Sequence, residues 1–314
     1  MVHIISEFDL DKKGFTQHNV DFLNVYLGVD NSLFLDYNKI ILGSSPLYKL
    51  MQKDLNIFMK NMFEYLAKGN DKYLEELLLG LHETNATHLG MSKYKPKGNS
   101  VGDELKKEIL NNLKFLKKIF LKGNLEIDCL YFGIEKIGPD RISDIVTSII
   151  KSKLILFTQQ QCFKHSIQTK PQGVSRIFDS NTVSWGAAIV ELPIYDNKPV
   201  IFVPKDIVSS YAGISGTFDS FVRYGFNNFF KSSLDYKLEV RGKEGDIDSD
   251  LKRKEFDEHF KSLGLNKKNI SQKILLETTN LDLVNVFAEN RKLVSFLSDD
   301  ELVDIVENKL KKAN

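Results

Sequence analysis

The stretch Ile134-Glu135-Lys136-Ile137-Gly138-Pro139-Asp140-Arg141-Ile142-Ser143-Asp144 decides how the chain is read. It follows an apolar strand candidate, Leu125 to Phe132. It opens a helix candidate running from Asp140 past Thr158 to about Lys164. Pro139 suits the first helical position, where it has no N–H to lose and its φ is already helical. Asp140 and Asp144 then share one face, with Thr147 and Lys151 continuing the stripe. The rest of the helix is built of Ile142, Ile145, Val146, Ile149 and Ile150, so the two acids stand out. The competing reading is structural: acids are favoured in a first helical turn by about 0.3–1 kcal/mol each, and Arg141 and Lys151 can pair with them. That accounts for Asp140 better than for Asp144, which lies a turn deeper.

Working outward, Asp103 to Lys122 predicts an amphipathic helix ending at Gly123. Ser45-Pro46 predicts the start of another that stops at Gly69, and Tyr73 to Leu81 a short third. Leu33 to Tyr37 reads as a strand. From His82 to Gly102 the pattern gives way to a polar, glycine-containing loop, and loops of that length are usually functional or mobile. Downstream, Ala187–Tyr195 and Val200–Pro204 read as paired strands joined by Asp196-Asn197-Lys198-Pro199. Lys237 to Lys268 is dense in mixed charge, and Ser298-Asp299-Asp300-Glu301 is a capping box opening a C-terminal helix. The expected fold is α/β or α+β: a small mixed-sheet core over residues 123–235, between helical regions 1–122 and 236–314.

Composition sets the outer limits. The 314 residues include 43 Lys and Arg against 42 acids, so there is no net pull toward nucleic acid, and binding to DNA or RNA needs a local patch. Cys129 and Cys162 are too few for a disulfide framework or zinc cluster, which points to a reducing, cytoplasmic setting. The first residues lack a basic start followed by a long apolar run, so no secretory leader is expected. No uncharged apolar run approaches the ~18 residues of a membrane span, and no membrane partner is expected.

Two groups of residues carry the candidate chemistry. The loop Leu89 to Gly102 runs into a helix start. Gly90, Gly98 and Gly102 would let the backbone approach an anion, with Ser92, Lys93 and Lys97 as donors. It lacks the Gly-Lys-Ser/Thr ending of a Walker loop, and a basic surface loop is the competing reading. Asp140 and Asp144 with Asp128 would hold Mg²⁺ or Mn²⁺ for phosphodiester hydrolysis, Glu104 and Glu108 being alternatives to Asp128. Lys205, at a strand end, would stabilise the developing charge. The order of elements loosely resembles a restriction-nuclease core, but its acid-x-Lys strand is missing. Glu104-Leu105-Lys106 lies at a helix start and Asp196-Asn197-Lys198 in a turn.

The remaining candidates have plainer explanations beside them. His82 and His88 share the loop with Glu83, and loop polarity suffices to place them. Cys162 and His165 have nucleophile-pair spacing, but unpaired cysteines are usually buried. Gln159, Gln160 and Gln161 would read a base edge, orient a water, or end a helix. Trp185 would stack on a ligand or anchor its loop.

The run Gly138 to Asp144, continuing through Thr158-Gln159 and Cys162, resembles an uncharacterised family of bacterial proteins. So do the glycine loop and the Leu192-Pro193-Ile194-Tyr195 to Val203-Pro204-Lys205 pair. The resemblance covers roughly residues 70–210, although the family's glycine-lysine loop is shorter and more regular. It implies mobile or antiviral-defence gene neighbourhoods and partner proteins from the same gene cluster, without naming an activity. Three functions follow as expectations: a metal-dependent nuclease of a defence system, a non-catalytic sensor or scaffold subunit of a defence complex, or a nucleotide-binding enzyme.

Overall fold

A computed structural model describes residues 1–82, 84–90, 107, 110–112, 138–210, 218–266, 269–270, 286 and 295–311. The expected strand 125–132 lies outside the described residues. So does the expected helix 103–122, apart from residues 107 and 110–112. The described helices, in chain order, are α1 (Ile4–Glu7), α2 (Tyr37–Leu42), α3 (Pro46–Lys68), α4 (Asp71–Leu79), α5 (Pro139–His165), α6 (Phe218–Gly225), α7 (Leu234–Arg241), α8 (Arg253–Ser262) and α9 (Asp299–Lys311). The strands are β1 (Leu33–Leu35), β2 (Lys170–Asp179), β3 (Ser184–Leu192), β4 (Ile194–Tyr195), β5 (Lys198–Pro199) and β6 (Val208–Ser210). The fold is mixed α and β with helices at both ends. Its described sheets are three antiparallel pairs: β1–β6, β2–β3 and β4–β5.

Contacts divide the chain into two compact units, both discontinuous in sequence. The first comprises Met1–Lys107, Pro139–Ile214 and Val294–Asn314; the second, Glu108–Gly138 and Ser215–Leu293. In the second, Phe226, Phe230, Tyr236, Phe256 and Phe260 form an aromatic cluster. Arg241 of α7 pairs with Glu255 of α8 at 2.9 Å.

The first unit is built around α5, with the start predicted from Pro139. Ile142, Ile145, Val146, Ile149, Ile150 and Leu154 are all buried, packed by α2, α3, β1, β2 and β3. A helix so enclosed must also bury its polar side chains, and each needs a hydrogen bond. The Ser143 hydroxyl accepts from the Leu35 N–H at 2.9 Å, and Thr158 Oγ1 accepts from Phe202 N–H at 2.9 Å while donating to the Leu154 carbonyl. Ser148 Oγ accepts from His82 N–H at 3.0 Å and donates to the His82 or the Asp144 carbonyl. The polar residues of α5 thus bind strand β1 and two loop backbones to the core. Ser148→Ala removes the hydroxyl that bonds the His82 N–H and C=O, and we expect urea unfolding to show a loss of about 1–2 kcal/mol.

Around α5, α3 begins at Ser45, whose hydroxyl accepts from Tyr48 N–H at 3.2 Å, and ends at Gly69 as predicted. Leu33–Leu35 is a strand, but Asp36 caps α2: its carboxylate accepts from Asn38 N–H and from Ser209 Oγ. The capping box at Ser298 and Glu301 is present. The downstream pairing differs from expectation. Asp196 and Asn197 do turn the chain, both at positive φ as a type I′ turn needs, yet they close only the two-residue ladder β4–β5. Residues 184–192 pair with 170–179, a strand the sequence reading did not assign. Pro199 and Pro204 cannot donate to a ladder, and the segment between them is buried instead. Its backbone bonds to Ala86, Thr158 and Leu23.

Candidate functional site

Asp140 is the second residue of α5, half-buried, with its carboxyl pushed above the ordinary range by burial and only partly restored by Arg141. Its neighbour across space is Gly90. Asp140 Oδ1 lies 3.8 Å, and Asp30 Oδ2 3.4 Å, from where a Cβ on residue 90 would sit. Gly90 has φ +135°, a conformation L side chains rarely adopt, so its bare backbone faces two carboxylates. Asp30 is itself buried.

The loop is held in this position by Asn31, 1% exposed. Its backbone N–H and its amide both donate to the His88 carbonyl at 2.8 Å, and its own carbonyl accepts from Gly90 N–H at 2.9 Å. Its side-chain oxygen accepts from Tyr26 N–H at 3.1 Å. These bonds pin residues 88–90 to residues 26–31, which brings Asp30 to the start of α5. A cavity of about 200 Å³ opens on the same segments, lined among others by Asp30, Asn85, His88, Tyr195 and Lys198. His88 Nε2 is buried with no hydrogen-bond partner among the described residues. Burial first, and the Lys198 ammonium second, lower the His88 pKa to about 4, so the ring is neutral at pH 7.

The structure therefore joins Asp140 and Gly90, both anticipated, and adds Asp30 and His88. Asp144 sits one turn further along α5, half-buried, its carbonyl bonded to Ser148. Lys205 lies in a one-turn 3₁₀ segment, and its ammonium is held by Asp299 of α9 at 2.7 Å and by the Gln17 carbonyl at 3.1 Å. That contact ties α9 to the body of the unit. Ser92, Lys93, Lys97, Gly98, Gly102 and Asp128 lie outside the described residues.

Other sequence candidates turn out to be structural. The Cys162 thiol is buried and pushed up to about 12, far from a nucleophile's range, and His165 packs edge-on against Phe15 and Phe22. Gln159 bonds to the Glu191 carbonyl and Gln161 to the Asp21 carboxylate. Trp185 lies in β3, between Phe58 and Phe178, and its indole donates to the Leu77 carbonyl at 2.8 Å.

Among the described residues, no three His, Cys, Asp or Glu side chains gather into a metal-holding group. A cation between Asp30 and Asp140 would take its remaining ligands from water, backbone carbonyls and substrate, as Mg²⁺ commonly does. Both carboxylates approach the Cβ position of residue 90, an arrangement that suits a cation or a proton between them. Among the described residues, no helix is long and apolar enough to cross a membrane. A family model described as a domain of unknown function (DUF8370) matches residues 13–215, a span that contains Asp30, His88, Gly90, Asp140, Asp144 and Lys205. No curated protein and no solved structure matches the chain.

Proposed function

We propose that this chain, which belongs to the DUF8370 family, is a divalent-cation-dependent phosphodiesterase acting on nucleic acid, in the defence setting that its sequence resemblance implies. The observation that carries this reading is the convergence of Asp30 and Asp140 on the bare backbone of Gly90. Mg²⁺ or Mn²⁺ bound there would polarise a phosphoryl oxygen and lower the pKa of a bound water. The chain's own part is to hold two desolvated carboxylates in place through Asn31 and α5. Residue 90 has no side chain, which leaves room for a phosphate to approach. Lys93 and Lys97 would hold the neighbouring phosphates. Lys205 drops out of the proposed centre, because Asp299 already holds its charge.

One observation favours the scaffold reading: no three-ligand metal group occurs among the described residues. Incubating the purified chain with single-stranded DNA, plasmid and RNA separates the two. The proposal expects cleavage in Mg²⁺ or Mn²⁺ that EDTA stops. Intact substrates under every condition would favour the partner-binding subunit.

A further inference from the structure

The cavity beside the paired carboxylates has a composition of its own. Val29 and Pro199 give it apolar wall, Tyr195 an aromatic ring, and Asn85 an amide. His88 offers a buried ring nitrogen with no partner among the described residues. Asp30, buried, and Asp196 and Lys198, exposed, also line the cavity, so among its described lining residues one cation stands beside two acids. At about 200 Å³ it is smaller than the roughly 300–1,000 Å³ of sites for drug-sized ligands, so a single ring system fills it.

We infer that this cavity receives one unpaired nucleobase, seated against Tyr195 with its polar edge toward His88 Nε2 and Asn85, while its phosphate passes Lys198. The chemistry is that by which proteins read splayed-out bases: an aromatic face to stack on and a few fixed donors and acceptors for the edge. A base inside a duplex cannot reach such a cavity without leaving its stack, so the site selects single strands. The walls are stiff enough for this. The His88 carbonyl accepts from Asn31, and the Ala86 carbonyl accepts from Ile201 N–H at 2.8 Å, so the three lining segments share one hydrogen-bonded frame. The inference deepens the phosphodiesterase reading by naming its substrate as single-stranded, and the two can fail separately because binding is measured without cleavage.

The test is fluorescence anisotropy of the full chain in EDTA. The probes are a labelled single-stranded 12-mer, the same strand with every base replaced by an abasic site, and the duplex. Nucleoside monophosphates compete in a further arm. The intact strand is expected to bind at least ~10-fold more tightly than the abasic strand or the duplex, the scale of one stacked base. Tyr195→Ala should remove that advantage and Tyr195→Phe should keep it. Displacement by monophosphates at low concentration would identify free nucleotides as the source of the base; displacement only by strands would identify nucleic acid. Equal affinity for intact and abasic strands overturns the inference. So does duplex binding as tight as single-strand binding, no binding at all, or an advantage that survives in a folded Tyr195→Ala chain. Binding with no cleavage in metal would overturn the phosphodiesterase reading alone.

Discussion

Gly80→Ala is expected to lower the stability of the first compact unit by about 3–5 kcal/mol, the scale of removing a large aromatic side chain from a core. A Cβ on residue 80 would lie 2.0 Å from two atoms of the Trp185 indole, closer than any real contact, so the ring or the backbone must move. Moving the ring breaks its 2.8 Å bond to the Leu77 carbonyl and its packing on Phe58 and Phe178. The gain in backbone preference from Gly to Ala, about 0.5–1 kcal/mol, is several times too small to compensate. Trp185 is the only tryptophan, so its emission reports on this site alone. Red-shifted emission and a midpoint lower by about 10 °C are expected. In a Trp185→Ala background the same substitution should cost almost nothing, because the two residues share one contact. An unshifted spectrum and midpoint would contradict the packing described.

Lys151→Met should act in the opposite direction, raising stability at pH 7 by on the order of 3 kcal/mol. Lys151 is 5% exposed on α5, and its ammonium has a long 3.4 Å bond to the Ser175 carbonyl. Burial, and then the nearby Arg176 cation, lower its pKa to about 8 from an ordinary 10.5. The sign follows from proton binding. Between about pH 8 and 10.5 the unfolded chain holds a proton that the folded chain has released, so wild-type stability rises with pH through that window. Below pH 8 the folded state carries the full cost of a buried charge. Methionine keeps the length and apolar stem without the charge. The difference between variant and wild type, from urea unfolding followed by Trp185 emission, should be largest at pH 7 and shrink toward pH 10.5. A difference independent of pH would show that the Lys151 charge is not the cause.

The parts of this fold that were legible in the sequence are those with strong local signals. Pro139 marks the start of α5, Ser45-Pro46 and Gly69 bracket α3, and Ser298 with Glu301 opens α9. The hairpin β2–β3 was missed at its first strand because most residues of both strands are exposed, so the usual in–out alternation of hydrophobicity is absent. Its strands are matched by the backbone ladder, with a bulge at Arg176. The stripe on α5 was visible, but its members do different things: Thr147 donates to the Ser143 carbonyl, Lys151 is buried with a long bond to Ser175, and Asp140 approaches Gly90 beside Asp30. Asp30 carries no motif. It comes to Asp140 through the hydrogen bonds of Asn31, and sequence periodicity contains no trace of such a long-range bridge. His88 was visible as a loop histidine, but the cavity it shares with Lys198 and Tyr195 is completed by a turn remote in sequence.

The measurement that tests the central claim most directly is the rate of single-strand cleavage in Mg²⁺ by the wild type, Asp30→Asn and Asp140→Asn, each checked for folding by Trp185 emission. If the two carboxylates form the cation-binding centre, each amide variant should lose at least ~100-fold in rate while keeping its spectrum. A folded Asp30→Asn chain that cleaves at the wild-type rate would contradict the claim.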